Sequence, residues 1–369
     1  MNSVYVKLIL GLIFCFYFSA GQRRVINGKR ADKRYVVYLL SPKQEYQPDS
    51  EAWLCGGAII TPKHIITAWS CIAYIWKSIW VIAGYNKYIN SKNLLNDPCT
   101  SKFKKRIGHL HTPATDNYSQ SSYAGSWAVY DVAVAAVDTP YNFHDVAYLK
   151  FCSYIPNAIQ MNFRKENSAA GIDAIVYGWG SNKYSRPDLY SVNLNQPYLM
   201  GSSVLIVDKT ECEEVTHKLL NFTPIYSQIC TMGRGNIDVD GTYLGDQEKQ
   251  IDSNKASLPD YKKFSEVYLD PKYIDRTATN GFCQNDHGGP LVTWVGGVEY
   301  LIGVASRFIL NETLHCMGPF TYTSVIQMKK YINCSLADSS RRSSRHGCAL
   351  STVLERDDEL IRRPQIPYT

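Results

Sequence analysis

No two cysteines of the sequence stand in the paired C-x-x-C spacing of a zinc site. Apart from one run near the N-terminus, no apolar stretch approaches the length needed to cross a bilayer. There is no internal repeat and no heptad pattern, which argues against solenoid and coiled-coil architectures. Nor does a basic stripe interleaved with aromatics stand out, so nucleic acid is not an expected partner. The formal net charge is only +6, and Lys7, Arg23 and Arg24 supply three of it.

What is present points to a secreted globular protein. With 45% hydrophobic and 12% aromatic residues, a chain of 369 residues can bury a sizeable core. The apolar run "LILGLIFCFYFSA" at 8–20, preceded by Lys7 and followed by "GQRR", has the layout of a secretory signal peptide. Cleavage is expected after Gly21, giving a signal of 1–21 and a short propeptide of 22–24; a cut after Ala20 is the near alternative. The mature chain would then be extracellular and free of the membrane. Removal of Cys15 leaves ten cysteines, an even set suited to an oxidising compartment. Glycosylation sequons begin at Asn117, Asn221, Asn311 and Asn333, with Pro224 making the second a poorer acceptor.

Short β-branched runs such as "YVVYLL", "SIWVIAG" and "DAIVYGWG" recur between turn residues, a rhythm of all-β folds. One helix is predicted over 324–332, with Val325, Met328 and Ile332 on one side. Residues 232–279 are polar and turn-rich and read as a surface insertion. Inside it Asn236, Asp238, Asp240 and Gly241 imitate part of a calcium loop, but Gln247 stands where a bidentate glutamate belongs. No metal and no cofactor are therefore expected. Residues 335–369 mix charges and serines and read as a mobile tail, tied down through Cys348 if at all.

Several motifs in a fixed order carry a resemblance. They are "RRVINGKRA", "WLCGGAIITPKHIITAWSC", "YDVAVAAVD", "YGWG", "CQNDHGGPLV", and "GVASRF" with "CMGPFTYTSV". From Val25 to about Cys334, some four-fifths of the chain, the sequence resembles the chymotrypsin-like, trypsin-type serine proteases (peptidase S1). That resemblance implies an all-β domain of two six-stranded antiparallel barrels with a C-terminal helix, spanning 25–334. It is most similar to the catalytically inactive homologues abundant in insects.

Acyl transfer by a serine needs an imidazole within reach of the hydroxyl, a buried carboxylate to orient that imidazole, and N–H donors for the oxyanion. By the resemblance, Asp131 is the orienting carboxylate, Ser70 stands at the base position and His287 at the nucleophile position. The two essential residue types have exchanged places. An imidazole at 287 could in principle activate Ser70. Yet the hydroxyl would sit away from the oxyanion donors, and His287 would lack a carboxylate to fix its tautomer. Asn285 replaces the glycine whose N–H serves the oxyanion hole. At the specificity pocket, Gly281 is the uncharged floor, while Arg307, Phe308 and Phe320 alter the walls. The two phenylalanines either fill the opening or are ordinary core residues.

The resemblance also implies an activation site, in which a cut after Arg24 would free the Val25 amine to pair with Asp286. Processing at a dibasic site during secretion is an equal alternative. Implied disulfides are Cys55–Cys71, Cys212–Cys230 and Cys283–Cys316. The other four cysteines permit three pairings, of which Cys99–Cys152 with Cys334–Cys348 is favoured. The expected function is binding: a cofactor or decoy in an extracellular protease cascade, with proteases or their substrates as partners. The alternatives are an active peptidase using the rearranged Ser70 and His287, and a structural component of a secretory fluid.

Overall fold

A computed structural model describes residues 25–40, 54–72, 76–89, 96–111, 130–180, 195–220, 228–244, 280–311 and 315–338, with Asn93 and Cys348 placed individually. The predicted signal peptide, the 22–24 propeptide with Arg24, and the bulk of the insertion and tail lie outside these residues.

After a short strand β1 (Lys29–Arg30) come six strands: β2 (Val36–Leu40), β3 (Leu54–Thr61), β4 (His64–Thr67), β5 (Trp80–Ile82), β6 (Lys105–His111) and β7 (Ala133–Val137). They close into an antiparallel barrel in the order β2-β3-β4-β7-β6-β5. A two-residue strand β8 (Gln160–Met161) leads to the second set. This comprises β9 (Asp173–Gly178), β10 (Met200–Ile206), β11 (Gln228–Arg234), β12 (Pro290–Val295), β13 (Val298–Leu310) and β14 (Cys316–Ser324). These run β10-β11-β14-β13-β12-β9, and pairing of β9 with β10 closes the ring, with β1 on β10 and β8 parallel to β13. The expected pair of six-stranded antiparallel barrels is what the chain forms. Closure leaves few unpaired strand edges.

The β-branched runs become strands buried on both faces. Every residue of β2 and of β7 is buried, one face in the barrel interior and the other under neighbouring elements. The two barrels meet backbone to backbone. The Gly56 N–H donates to the His287 carbonyl at 2.7 Å, and a Cβ on Gly56 would lie 2.7 Å from the Gly289 Cα. The "GG" of each motif therefore lets the barrels touch where any side chain would wedge them apart.

Helices are short: α1 (Trp69–Ile72), α2 (Pro98–Phe103), α3 (Ala147–Phe151), α4 (Lys209–Leu220) and α5 (Lys329–Asp338). The α2 helix starts where the Asp97 carboxylate accepts the Thr100 N–H and Pro98 presets the first turn. The helix predicted over 324–332 lies further on. Residues 325–328 form turns and α5 continues through Asp338, so 335–338 belong to the fold and not to a mobile tail. The reason is packing: Tyr331, Ile332 and Ser335 are all buried. The Tyr331 hydroxyl accepts the Val134 N–H and donates to the His111 carbonyl, fixing α5 on the first barrel.

The insertion boundary also moves. Residues 232–234 complete β11, with Met232 buried, and an Ile237–Tyr243 bridge folds the next stretch back on itself. Lys33 pins it, its ammonium lying 3.3 Å from both Asp240 and Glu299. Five disulfides join Cys55–Cys71, Cys99–Cys152, Cys212–Cys230, Cys283–Cys316 and Cys334–Cys348, the pairings expected above.

Candidate functional site

Asp131 lies just ahead of β7 and is fully buried where the barrels meet. Its carboxylate collects donors from both sides. From the first barrel, the Ser70 N–H donates to Oδ1 at 2.8 Å and the Ser70 hydroxyl to Oδ2 at 3.0 Å. From β13, the Ser306 hydroxyl donates to Oδ2 at 2.9 Å. Thr323 of β14 adds a bond to the Asp131 carbonyl at 3.0 Å. Burial raises the Asp131 pKa, and the bonds from Ser70 and Ser306, with the nearby Arg307 charge, offset part of that. Ser70 itself is exposed on α1, held there by the Cys55–Cys71 bridge.

His287 occupies the turn ahead of β12. Its ring lies 6.0 Å from that of Phe282 and 5.1 Å from that of Phe308. Its Nδ1 is buried without a hydrogen-bond partner, and burial lowers its pKa to about 4, so the imidazole is neutral across the physiological range. Among the described residues no hydrogen bond joins this ring to Ser70 or Asp131. The structure thus gathers Ser70 and Asp131 into one contact and sets His287 in an aromatic cluster.

Asn285 adopts φ +74°, the left-handed region that favours glycine and that asparagine tolerates better than other residues. Its side-chain amide donates to the Asn195 side chain at 2.8 Å, anchoring the turn to the 195–199 segment. Asn285 therefore occupies a backbone conformation of the glycine type.

The Asp286 carboxylate, also fully buried, sits in a cradle of backbone. Gly180 donates its N–H at 2.6 Å and Cys283 at 3.3 Å, while a Cβ on Gly178 or Gly180 would lie 1.9 or 2.5 Å from the carboxylate oxygens. This is why "YGWG" brackets its tryptophan with glycines. Burial raises Asp286 to about 7 against the pull of the Gly180, Cys283 and Trp179 N–H groups. Val25 is buried at φ +44°, Ile26 bridges Gly281, and the Ser202 hydroxyl holds the Ile26 carbonyl at 2.8 Å.

Gly281 faces the ring of Phe320 so closely that a Cβ there would lie 2.3 Å from it. Phe320 is fully buried, and Phe282 packs beside it with the rings tilted and centroids 5.5 Å apart, with Phe308 at 5.8 Å and Tyr322 at 5.1 Å from Phe282. Phe320 is thus a core residue with its ring against Gly281, while Phe308 is only partly buried, packed beside Phe282 and His287. Arg307 is half-buried beside Asp131, its pKa lowered to about 10 by burial.

Phe282 and Ser306 were not singled out from sequence. The one polar residue in the apolar stretch "GVAS" signals Ser306, since a hydroxyl buried in a strand needs a partner. Asn311 closes a loop through paired bonds to His315, and Asn333 is exposed on α5; Asn117 and Asn221 lie outside the described residues. In the calcium-like stretch, the Asp238 carboxylate accepts the N–H groups of Asp240 and Thr242, and Asp240 meets Lys33. A groove of about 380 Å³ lies elsewhere, lined by Lys33, Tyr35, Asn157 and Glu299, away from Asp131 and His287.

The two closed six-stranded barrels are consistent with the chymotrypsin-like (peptidase S1) fold. Over 221 residues the chain is 23% identical to lectizyme of Glossina austeni, an alignment covering 60% of this chain and 68% of that protein, and the relationship is one of distant homology. No protein-family profile matches the chain.

Proposed function

We propose that this protein is a secreted, non-catalytic serine protease homologue that acts by binding, as a cofactor or decoy in an extracellular protease cascade. Its partners are extracellular proteases or their substrates. The observation that carries this reading is the direction of the Ser70 hydroxyl, which donates to Asp131 at 3.0 Å while the imidazole of His287 lies among phenylalanines. A serine becomes a nucleophile when a base takes its proton in the transition state. A carboxylate that already accepts three hydrogen bonds orients Ser70 and is far too weak a base to ionise it.

Phe320 over Gly281 supports the same conclusion, because a substrate side chain has no opening to enter there. Five disulfides favour an oxidising, extracellular setting. On this reading 1–21 is removed, Arg24 is the site of a cut that frees Val25 for Asp286, and the sequons at Asn311 and Asn333 carry glycans.

The test is reaction of the purified chain, before and after cleavage at Arg24, with a fluorophosphonate that labels activated serines. The expected result is no label on either form. Stoichiometric labelling that disappears in Ser70→Ala would overturn the proposal.

A further inference from the structure

The sequence shows no basic stripe interleaved with aromatics, yet the fold assembles one on the first barrel. The segment "KFKKR" at 102–106 runs from α2 into β6. Arg106 and Lys104 lie over the Trp80 ring of β5, at 4.4 and 5.1 Å from its centroid. Lys102 lies 4.6 Å from the ring of Phe151 in α3, and Lys150 lies 5.3 Å from the same ring. Lys77 rests over Trp76 in the turn that leads into β5. Stacking of Phe103 on Tyr148, with centroids 3.9 Å apart, locks α2 and α3 side by side and makes the face continuous.

None of these five cations forms an ion pair among the described residues, unlike Lys33 and Lys209. The bordering carboxylates keep their charge, but each is held by donors of its own and forms no ion pair with the row. Asp97 accepts the Tyr85 hydroxyl and the Thr100 N–H, Asp138 accepts the Thr139 N–H, and Asp145 accepts the Ala147 N–H. Cations laid flat on rings are held in place and partly stripped of water, so they lose less freedom when an anion arrives.

We propose that this face binds a linear sulfated polysaccharide. Such a chain brings repeated fixed anions on a hydrophilic backbone, which matches a row of unpaired cations. At the cations, Lys105 and Arg106 of β6 are already paired with Val81 and Trp80 of β5, so that edge is not open to an extended acidic peptide. The faces of Trp80 and Phe151 are covered by cations, so they are not presented to bases or to a bilayer. Among the described residues near the row, the exposed large apolar side chains are Val146 and Leu149 of the 146–151 segment, 72% and 62% exposed. The proposal is independent of whether the Ser70 site is catalytic.

The experiment measures binding of the full mature chain to a heparin octasaccharide at physiological salt. Alongside it run the desulfated octasaccharide, single-stranded DNA of equal charge, and vesicles containing anionic phospholipid. Heparin should bind, with affinity falling steeply as salt rises, as expected when counterions are released from a polyanion. Lys102→Ser, Lys104→Ser, Arg106→Ser and Lys150→Ser combined should weaken it by about tenfold or more, while Lys209→Ser with Lys330→Ser should not. Lysine acetylation of the unmutated chain provides a readout that needs no variant: heparin should protect Lys102, Lys104 and Lys150. Equal binding of desulfated chain, tighter binding of DNA or vesicles, undiminished binding by the fourfold variant, or absence of lysine protection would each overturn the proposal.

Discussion

Ser70 gives Asp131 both its backbone N–H, at 2.8 Å, and its hydroxyl, at 3.0 Å, so one residue binds both oxygens of a fully buried carboxylate. Ser306 supplies the remaining donor from the other barrel at 2.9 Å. The two hydroxyls differ in surroundings, for Ser70 is exposed and Ser306 is 1% exposed. Water can replace the first when it is lost, but not the second. Ser306→Ala should therefore cost about 2 kcal/mol, the penalty for leaving a buried charge short of a donor, and Ser70→Ala about 0.5 kcal/mol. Urea unfolding of both variants checks the order; equal losses would mean that Asp131 is solvated or protonated.

Asp286 and His287 are neighbours with opposed effects on acid stability. Burial raises Asp286 from an ordinary 3.8 to about 7, so the folded chain keeps a proton that the unfolded chain releases near pH 4. Between those values the folded state binds more protons, and stability falls as pH rises; the contribution is on the order of 4 kcal/mol. His287 works the other way. Its pKa drops from 6.5 to about 4, so the unfolded chain takes up a proton first and stability falls as pH drops through that window. His287 keeps partial exposure by surface area, which makes its share the smaller. The unmutated chain should show a shallow profile between pH 4 and 6.5. Asp286→Asn should turn it into a rise with pH, and His287→Phe into a steeper fall. Unfolding midpoints at pH 4.5, 5.5 and 6.5 decide it; the same slope in all three proteins would refute the assignment.

How much of this was legible in the sequence depends on whether a signal is local. The all-β class was legible because β-branched runs between turn residues repeat down the chain, and the pair of barrels followed from the resemblance carried by the ordered motifs; that Gly56 and Gly289 touch backbone to backbone was not. The identities of Ser70 and His287 were legible, but the destination of His287 was not. Its place beside Phe282 and Phe308 depends on three segments meeting. The α4 helix was missed because its sequence, "KTECEEVTHKLL", carries few apolar residues and hence a weak stripe. The basic face escaped for a related reason: "KFKKR" is visible, but Trp80 and Phe151 reach it from other elements.

On the proposed reading, in which Ser70 and His287 stand at each other's family positions, swapping them should still not give a peptidase. In Ser70→His with His287→Ser, a histidine at 70 would adjoin Asp131 and a serine at 287 would adjoin the Asn285 turn, so the base and nucleophile types return to their places. A fluorophosphonate, being small, should then label position 287 after cleavage at Arg24. Peptides should still not be cut, because the Phe320 ring stands over Gly281 where a Cβ would already lie 2.3 Å from it. Adding Phe320→Gly removes that ring at a cost of about 3–5 kcal/mol, the usual loss for emptying a phenylalanine site in a core. The five disulfides should keep the chain folded despite the loss. Only this triple variant should hydrolyse a peptide panel, and weakly, since Phe308 and Arg307 still crowd the approach. Strong hydrolysis by the double variant would show that the ring over Gly281 is no barrier, and that the exchange at 70 and 287 alone silenced the site.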